Sequence, residues 1–589
     1  MTKQGVFMRL WIYLKNYKSA LFLAIFLKVL ASVMSVAEPF ILGLAITELT
    51  ANLFDMAKGI EGARINTSYI LMILVIYFVR GLGYQLGSYY SNYFMTNVVQ
   101  NSIRDLRRDL SKKVNTVPVS YFDNHRFGDM LGRFTSDIET VSNALQQSFL
   151  QIINAFISII LVVGMVLYIN VLLALVLIIC IPVTYFLTQF ILRRSQTFFK
   201  QQADALGDMN GFVQENLTGF NIIKLYGREE SSVQDFRDIT EKLRKVGFRA
   251  TFISGLIMPV LNAISESAYL IIALIGALQV VAGTLTLGNM QAFVQYTWQI
   301  SQPVQTISQL AGIIQSAQSS LGRIFEVLDE ADEVNRVAEE INHDLIGHVS
   351  FKDVSFQYVD NRPLIHNFNL EVEPGEMVAI VGPTGSGKTT LINLLMRFYD
   401  VTSGSIQVDG YDIRNLSRQK YRKQFGMVLQ EAWLYETTIK ENIRFGNLEA
   451  TDKEIVEVAK AANVAHFIRT LPGGYNMEMN QESSNISQGQ KQLLTIARAL
   501  LADPKILILD EATSSVDTRL ELLIQKAMTK LMEGRTSFVI AHRLSTIQEA
   551  DKILVLNNGQ IIEQGSHDSL IKAKGFYYNL YNSQFASNK

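Results

Sequence analysis

The stretch Gly382-Pro383-Thr384-Gly385-Ser386-Gly387-Lys388-Thr389 decides how this chain is read. It has the phosphate-loop spacing, a glycine, four residues, then Gly-Lys-Thr. Before it runs Met377-Val378-Ala379-Ile380-Val381, an apolar segment that reads as a buried strand, and after it Leu391-Ile392-Asn393-Leu394-Leu395-Met396 reads as a helix. A glycine-rich turn between strand and helix lets successive backbone N–H groups face a polyphosphate, and the helix N-terminus adds positive potential. Lys388 is then placed for the β- and γ-phosphates and the Thr389 hydroxyl for Mg²⁺.

A chain of 589 residues is too long for one domain, and 49% hydrophobic residues is high for a soluble protein. Part of it is expected in lipid. With 53 basic against 54 acidic residues, no global field points to nucleic acid. Cys180 is the one cysteine and lies in an apolar segment, which excludes a disulfide framework and a cysteine-rich metal site. The first long apolar segment is interrupted by Lys28, so no removable signal peptide is expected.

Six apolar segments precede the phosphate loop, near Leu21 to Leu44, Tyr69 to Tyr93, Ala144 to Tyr168, Val171 to Leu192, Phe252 to Val281 and Met290 to Ile313. Each reaches the roughly 20 residues that a helix needs to cross the hydrocarbon. Thr140 to Leu192 and Ser267 to Gly322 contain no Asp, Glu, Lys or Arg, so each is expected to hold two spans joined by a tight turn, at Ile169-Asn170 and at Gly283 to Asn289. Residues 101 to 139 carry seven Lys or Arg, and residues 193 to 250 carry ten. The positive-inside rule places these connections, and the N-terminus with Lys3, Arg9, Lys15 and Lys18, in the cytoplasm of a multi-pass protein of the cell membrane. Residues 7 to 18 read either as an amphipathic helix on the membrane surface or as the first turns of the next helix.

The basic connections have polar-helical sequence, so the spans are expected to continue beyond the bilayer. Apolar clusters at Pro118 to Asp123 and Gly219 to Leu225 mark their tips, which suit docking to a nucleotide-binding domain. The last span carries Gln291, Gln295, Gln299, Gln302, Gln305 and Gln309 at helical spacing. Such a stripe should face other helices or a wet cavity rather than lipid. With Tyr296 and Trp298 nearby it is a candidate cavity for amphipathic solutes. The intramembrane groups Lys28, Glu38, Arg80 and Glu266 are candidates for cavity or gating roles, Glu266 either attracting a cation or sitting in an internal ion pair.

The chain turns abruptly charged over 323 to 346, a linker, so the domains are expected at 1 to 322 and 347 to 589. From His348 onward strands, helices and turns alternate as in an α/β domain. Ile506-Leu507-Ile508-Leu509-Asp510-Glu511 reads as a buried strand ending in two acids. Asp510 suits Mg²⁺ and Glu511 suits polarising a water near the γ-phosphate. Gln430 follows the strand Gly426-Met427-Val428-Leu429 and is placed for metal and water, and His542 follows Ser537-Phe538-Val539-Ile540-Ala541 and is placed for the γ-phosphate. Tyr358 either stacks on adenine or packs its strand. Asn485-Ile486-Ser487-Gln488-Gly489-Gln490 opens a further helix and offers a second anion site.

Taken together, these residues resemble the ATP-binding cassette (ABC) exporters over essentially the whole chain. The resemblance implies a six-helix α-helical transmembrane domain of the type I exporter fold, also called type IV, followed by an α/β P-loop nucleotide-binding domain. It implies that Gly382 to Thr389 is the Walker A loop, with Thr390 beside it. In the same way Gln430 is the Q-loop, Ile486 to Gln490 the signature, Asp510 and Glu511 the Walker B pair, Ser514 to Asp517 the D-loop and His542 the switch histidine. Two such domains pack head to tail, so Ser487, Gln488, Gly489 and Gln490 would face ATP held by a partner. The usual signature is Leu-Ser-Gly-Gly-Gln, and Gln488 departs from it, as Asn480-Gln481-Glu482-Ser483-Ser484 departs from the usual Gly-Glu-Arg-Gly run. An altered signature with an intact Glu511 resembles one half of the heterodimeric bacterial multidrug exporters, whose partner lacks the catalytic glutamate. A homodimer that tolerates Gln488 is the alternative.

The expected function is thus ATP hydrolysis coupled to export of amphipathic drugs or dyes, with ATP and Mg²⁺ as cofactors, a second half-transporter and the bilayer as partners, and no nucleic acid. A lipid flippase is the rival within transport and an ATP-gated channel the rival outside it. The lack of an added Cys/His protease domain at the N-terminus argues against a peptide-processing exporter.

Overall fold

The computed structural model describes residues 5–61, 63–333, 345–359, 362–429, 432–480, 485–510, 518–541 and 544–584. Its packing divides the chain into two compact units, Met1–Thr116 with His125–Glu330, and Val117–Asn124 with Ala331–Lys589.

In the first unit, α1 (Val6–Leu14) is a helix of its own, joined by one 3₁₀ turn to α2 (Lys18–Ala57). It buries Leu10 and Leu14 and leaves Phe7, Met8, Trp11 and Ile12 exposed, which favours the surface-helix reading over the first-turns reading. There follow α3 (Thr67–Val114), α4 (Val119–Asp123), which packs with the second unit, α5 (Phe127–Gly132), α6 (Ile138–Ile169), α7 (Val171–Thr218), α8 (Phe220–Leu225), α9 (Glu229–Gly255), α10 (Ile257–Val281) and α11 (Leu287–Asp329).

Among the described residues five helical stretches are long and apolar enough to cross a membrane, Val6–Ala57, Thr67–Val114, Phe127–Ile169, Val171–Thr218 and Glu229–Val281. The expected sixth span lies within α11, a continuous helix of 43 residues. Its glutamines lower its hydropathy, so composition alone does not single it out. The two apolar turns form as their sequences dictate. Asn170 accepts from the Leu173 N–H at 3.1 Å and Thr286 from the Asn289 N–H at 3.2 Å, each satisfying one free donor at the start of the following helix.

Large apolar side chains such as Phe78, Ile160, Phe186 and Leu274 point outward, as lipid-facing positions require. Inside, Val36, Val166, Leu173, Ile272, Phe293 and Tyr296 pack together, and the buried Tyr296 hydroxyl donates to the Val36 carbonyl at 2.8 Å. Helix α11 does not end at 322. Its charged continuation is paired: Arg323 binds Asp137, Glu326 accepts from the buried Arg133 at 3.1 Å, and Asp329 pairs with Arg9 at 2.5 Å.

The second unit holds two sheets. One is antiparallel, from β1 (Val349–Phe356), β2 (Ile365–Val372), β4 (Ser403–Val408) and β5 (Tyr411–Asp412), in the order β2-β1-β4-β5. The other, ordered β10-β9-β3-β8-β7-β6, comprises β3 (Met377–Val381), β6 (Phe425–Val428), β7 (Ile506–Asp510), β8 (Thr536–Ile540), β9 (Lys552–Asn557) and β10 (Gln560–Gly565). All but β10 run parallel. The centres of β3, β7, β8 and β9 are apolar because both faces are covered. Ala379, Leu507, Leu509 and Val539 enter one core with Leu493 and Ile496, and their neighbours Val378, Ile506, Ile508 and Phe538 enter the other, against the antiparallel sheet.

Candidate functional site

Parallel register sets the nucleotide site. Ile380 pairs with Ile540, Ile540 with Asp510 and Leu509 with Val428, so β3, β8, β7 and β6 end together along one edge. Open α/β sheets bind ligands at that edge. The next residues in sequence are the phosphate loop after β3, Glu511 after β7, Gln430 two residues beyond β6 and His542 two beyond β8. The roles expected of Glu511, His542 and Gln430, and of Ser514 to Asp517, lie outside the described residues.

The phosphate loop itself is described. It connects β3 to α12 (Lys388–Leu395), whose N-cap is Gly387 at φ 103°. Gly382 and Gly385 also have positive φ, and a Cβ at Gly382 would strike the Leu556 carbonyl. Pro383, Thr384 and Gly385 are exposed, Ser386 and Thr390 buried. Three observations fit a polyphosphate. Among the described residues, the buried Ser386 hydroxyl has no partner. Lys388 Nζ folds back to donate to the Gly382 and Pro383 carbonyls at 2.8 and 3.0 Å, contacts a phosphate can replace. Burial holds the Lys388 ammonium below the ordinary lysine range, with Asp510 opposing, so an added anion is welcome. For Mg²⁺ the described candidates are the exposed Thr389 hydroxyl and Asp510 at the end of β7, a set that suits an ion which keeps several waters.

Tyr358 packs against its own domain. Its ring stands edge-on to Phe356 and Tyr399, with centroids 4.8 and 4.9 Å away, and its hydroxyl donates to Thr390 Oγ1 at 3.3 Å. The residue is still 47% exposed. Tyr399, which the sequence did not single out, also donates to Asp123 in α4. The tip at Pro118 to Asp123 therefore packs on the nucleotide unit through a named bond. The other expected tip, α8, exposes Phe220, Ile222 and Leu225 in this chain.

At the signature, Ser487 caps the helix Gln488–Ala502. The Gln490 N–H donates to its hydroxyl at 3.4 Å, and Gln490 Oε1 accepts from the Ser487 N–H at 2.8 Å. Gln488 is exposed and Gly489 buried.

The first unit contains a cavity of about 430 Å³ lined by Ser35, Tyr84, Gln151, Asn154, Gln299 and Gln302, among others. The glutamine stripe is thus split. Gln299 and Gln302 line the cavity, Gln299 also donating to the Ser35 carbonyl at 3.4 Å, whereas Gln291, Gln295 and the 45% exposed Trp298 are not among its lining residues. The side chains of Gln305 and Gln309 lie outside the described ones. Glu266 is exposed on α10, off the face that buries Leu261, Ser265, Ala268 and Ile272, and is not among the residues lining this cavity. The charge at the cavity is Lys28. Glu38 and Arg80 form an internal pair at 3.0 Å, with Tyr77 donating to Glu38 at 2.8 Å. Tyr84, Gln151 and Asn154 were missed because an isolated polar residue in an apolar run carries no periodic signal.

Two family models match the chain, ABC transporter transmembrane region over residues 21–304 and ABC transporter over residues 365–514. The uncharacterized ABC transporter ATP-binding protein YfiC of Bacillus subtilis is 40% identical over 99% of this chain and 94% of its own length. A fatty acid ABC transporter ATP-binding/permease protein of Mycobacterium tuberculosis is 45% identical over 82% of this chain and 76% of its own. A putative multidrug export ATP-binding/permease protein of B. subtilis, YgaD, is 34% identical over 98% and 99%. With a helical membrane unit and a P-loop unit in one chain, the protein belongs to the ABC transporters: it is an exporter half-transporter of the type I fold, a membrane protein that hydrolyses ATP to drive transport and works as a dimer.

Proposed function

We propose that this half-transporter exports amphipathic small molecules across the cell membrane by alternating access, paired with a second, non-identical half. The observation that carries the cargo class is the cavity lined by Gln299, Gln302, Tyr84 and Asn154 beside apolar Val36, Ala155 and Val162, which suits a molecule with both a polar and an apolar part. The relative named for multidrug export supports the same class.

In this reading Gly382 to Thr390 hold the phosphates and Tyr358 the adenine. Thr389, Gln430 and Asp510 hold Mg²⁺, which neutralises charge on the phosphates. Glu511 accepts the proton of the attacking water and His542 contacts the γ-phosphate. Ser487 to Gln490 close on nucleotide held by the partner. Closure of two nucleotide domains pulls on the tips at 118–123 and 219–225 and turns the cavity outward, with both tips and the N-terminus cytoplasmic.

A lipid or lipid-like cargo is the second reading, favoured by the relative at 45% identity named as a fatty acid transporter. ATP-dependent uptake by inside-out vesicles separates them. Uptake of amphipathic dyes that fluorescent fatty acids do not inhibit supports drug export. Uptake of fatty acids alone supports the lipid reading, and an ATP-gated current without uptake of either would overturn both.

A further inference from the structure

Lys28 stands ten residues beyond Lys18, the start of α2, and so about 15 Å along that helix at 1.5 Å per residue. It lines the cavity of about 430 Å³ in the first unit. The same helix carries a second titratable residue, Glu38, and the contrast between the two is informative. Glu38 is neutralised by Arg80 at 3.0 Å and takes a further hydrogen bond from Tyr77. Among the described residues, no carboxylate stands within ion-pair distance of Lys28, and none of the residues lining its cavity is acidic.

The rest of the lining reinforces this asymmetry. Ser35, Tyr84, Ser158 and Thr306 bring hydroxyl groups, Thr306 already donating to the Gln302 carbonyl at 3.0 Å, and Gln151, Gln299 and Gln302 bring amides. The Ser32 hydroxyl lies 2.8 Å from both Asn154 Oδ1 and the Lys28 carbonyl, so Asn154 is tied to the helix that carries Lys28. Val36, Ala155 and Val162 supply an apolar wall. An ammonium held inside a membrane domain is retained only where water, a counter-charge or a function balances its desolvation. A lining with one cation and no acid, whose hydroxyls and amides both donate and accept, repels cations and attracts anions.

We propose that this cavity selects amphipathic anions, an anionic head group such as a carboxylate or phosphate on an apolar tail, and that Lys28 is its specificity-determining counter-charge. The proposal rests on the reading that the chain exports amphiphiles and narrows the charge of the cargo. Anionic heads from membrane lipids and from free amphiphiles share this chemistry.

The test uses the full chain, reconstituted in liposomes with its partner subunit where one is required. Two fluorescent probes share one alkyl tail and differ in the head, carboxylate in one and trimethylammonium in the other. ATP-dependent uptake of each is measured over a range of concentrations, with the probe supplied either in the aqueous phase or already in the bilayer, which distinguishes the two sources. The expected result is a preference for the carboxylate of roughly tenfold in half-saturating concentration, the scale of a screened charge contact. Lys28→Gln should erase that preference, Lys28→Arg should keep it and Lys28→Glu should reverse it. Equal uptake of both probes by the unaltered chain, or a carboxylate preference that survives Lys28→Gln, overturns the assignment and leaves amphiphile export standing. Uptake of neither probe overturns the export reading and the assignment together.

Discussion

Tyr399 donates its phenolic hydrogen to Asp123 while its ring stands edge-on to Tyr358. Burial, with the Asp123 carboxylate, raises the Tyr399 phenol above its ordinary range, so it stays a donor at any physiological pH. Tyr358 in turn touches Thr390 in the helix that opens at the phosphate loop. One aromatic cluster thus joins the nucleotide site to α4, which follows directly on the long helix α3.

From that relationship, Tyr399→Phe keeps the ring contacts and removes the bond. A hydrogen bond to a charged acceptor contributes about 1.5–3 kcal/mol, less where the acceptor is exposed as Asp123 is. The expected outcome is unchanged ATP affinity and a several-fold loss of cargo-stimulated hydrolysis, with Asp123→Ala behaving alike. Measuring nucleotide binding and stimulated turnover on the same preparation checks it, and a fall in ATP affinity alone would assign the pair to the nucleotide site instead of to coupling.

Lys388 gives a pH signature. Burial lowers its proton affinity in the empty site, and bound phosphate restores it, so binding takes up a proton once the pH reaches the depressed value. Affinity for ATP should therefore fall as pH rises through that depressed value, on the acid side of the ordinary lysine range. In Lys388→Arg, whose guanidinium keeps its charge throughout, the slope should flatten even though affinity drops at neutral pH. Calorimetric titration in two buffers of different ionisation enthalpy would reveal the uptake, and an identical slope in both proteins would assign the pH dependence to another group.

Gly43 and Gly288 bring α2 and the start of α11 into backbone contact. A Cβ on Gly288 would overlap the Gly43 carbonyl and the Thr47 hydroxyl, and one on Gly43 would meet the Gly288 carbonyl at 2.6 Å. Small residues allow such approaches between membrane helices. Neither Gly288→Ala nor Gly43→Ala can be absorbed by a rotamer change, because backbone atoms stand in the way. Each should cost at least 1–3 kcal/mol, as overpacking does, and lower the thermal midpoint in detergent. Ala substitution at the unobstructed Gly164 should not.

The difference between what was legible in the sequence and what was not follows the range of the interactions. The phosphate loop announced itself because Gly382, Gly385, Gly387 and Lys388 act within eight residues, and the buried parallel strands announced themselves as unbroken apolar runs. The glutamine stripe was legible as a stripe, yet which members reach a cavity depends on where α2 and α6 cross α11, a tertiary fact. For Glu266, likewise, the depth was readable and the helical face was not. Tyr399 and Asp123 are 276 residues apart, and nothing local in either segment names the other.

Gln488 tests the pairing of halves. Its side chain is exposed at the first turn of a helix whose cap is made by Ser487 and Gln490, so Gln488→Gly leaves the capping bonds in place and costs the helix at most about 1 kcal/mol. Suppose this chain pairs with a half that lacks the catalytic glutamate. Its signature then closes on the impaired site, and Gln488→Gly should leave turnover of the assembled pair nearly unaltered. Glu511→Gln in the same pair should trap ATP and lower turnover by about 10²–10⁴-fold, the range for loss of a general base. In a homodimer the same signature would serve both competent sites, and Gln488→Gly would change turnover of the chain purified alone. Comparing the two variants in the chain alone and with a candidate partner decides the matter, since only a heterodimer separates the effects of Gln488 and Glu511.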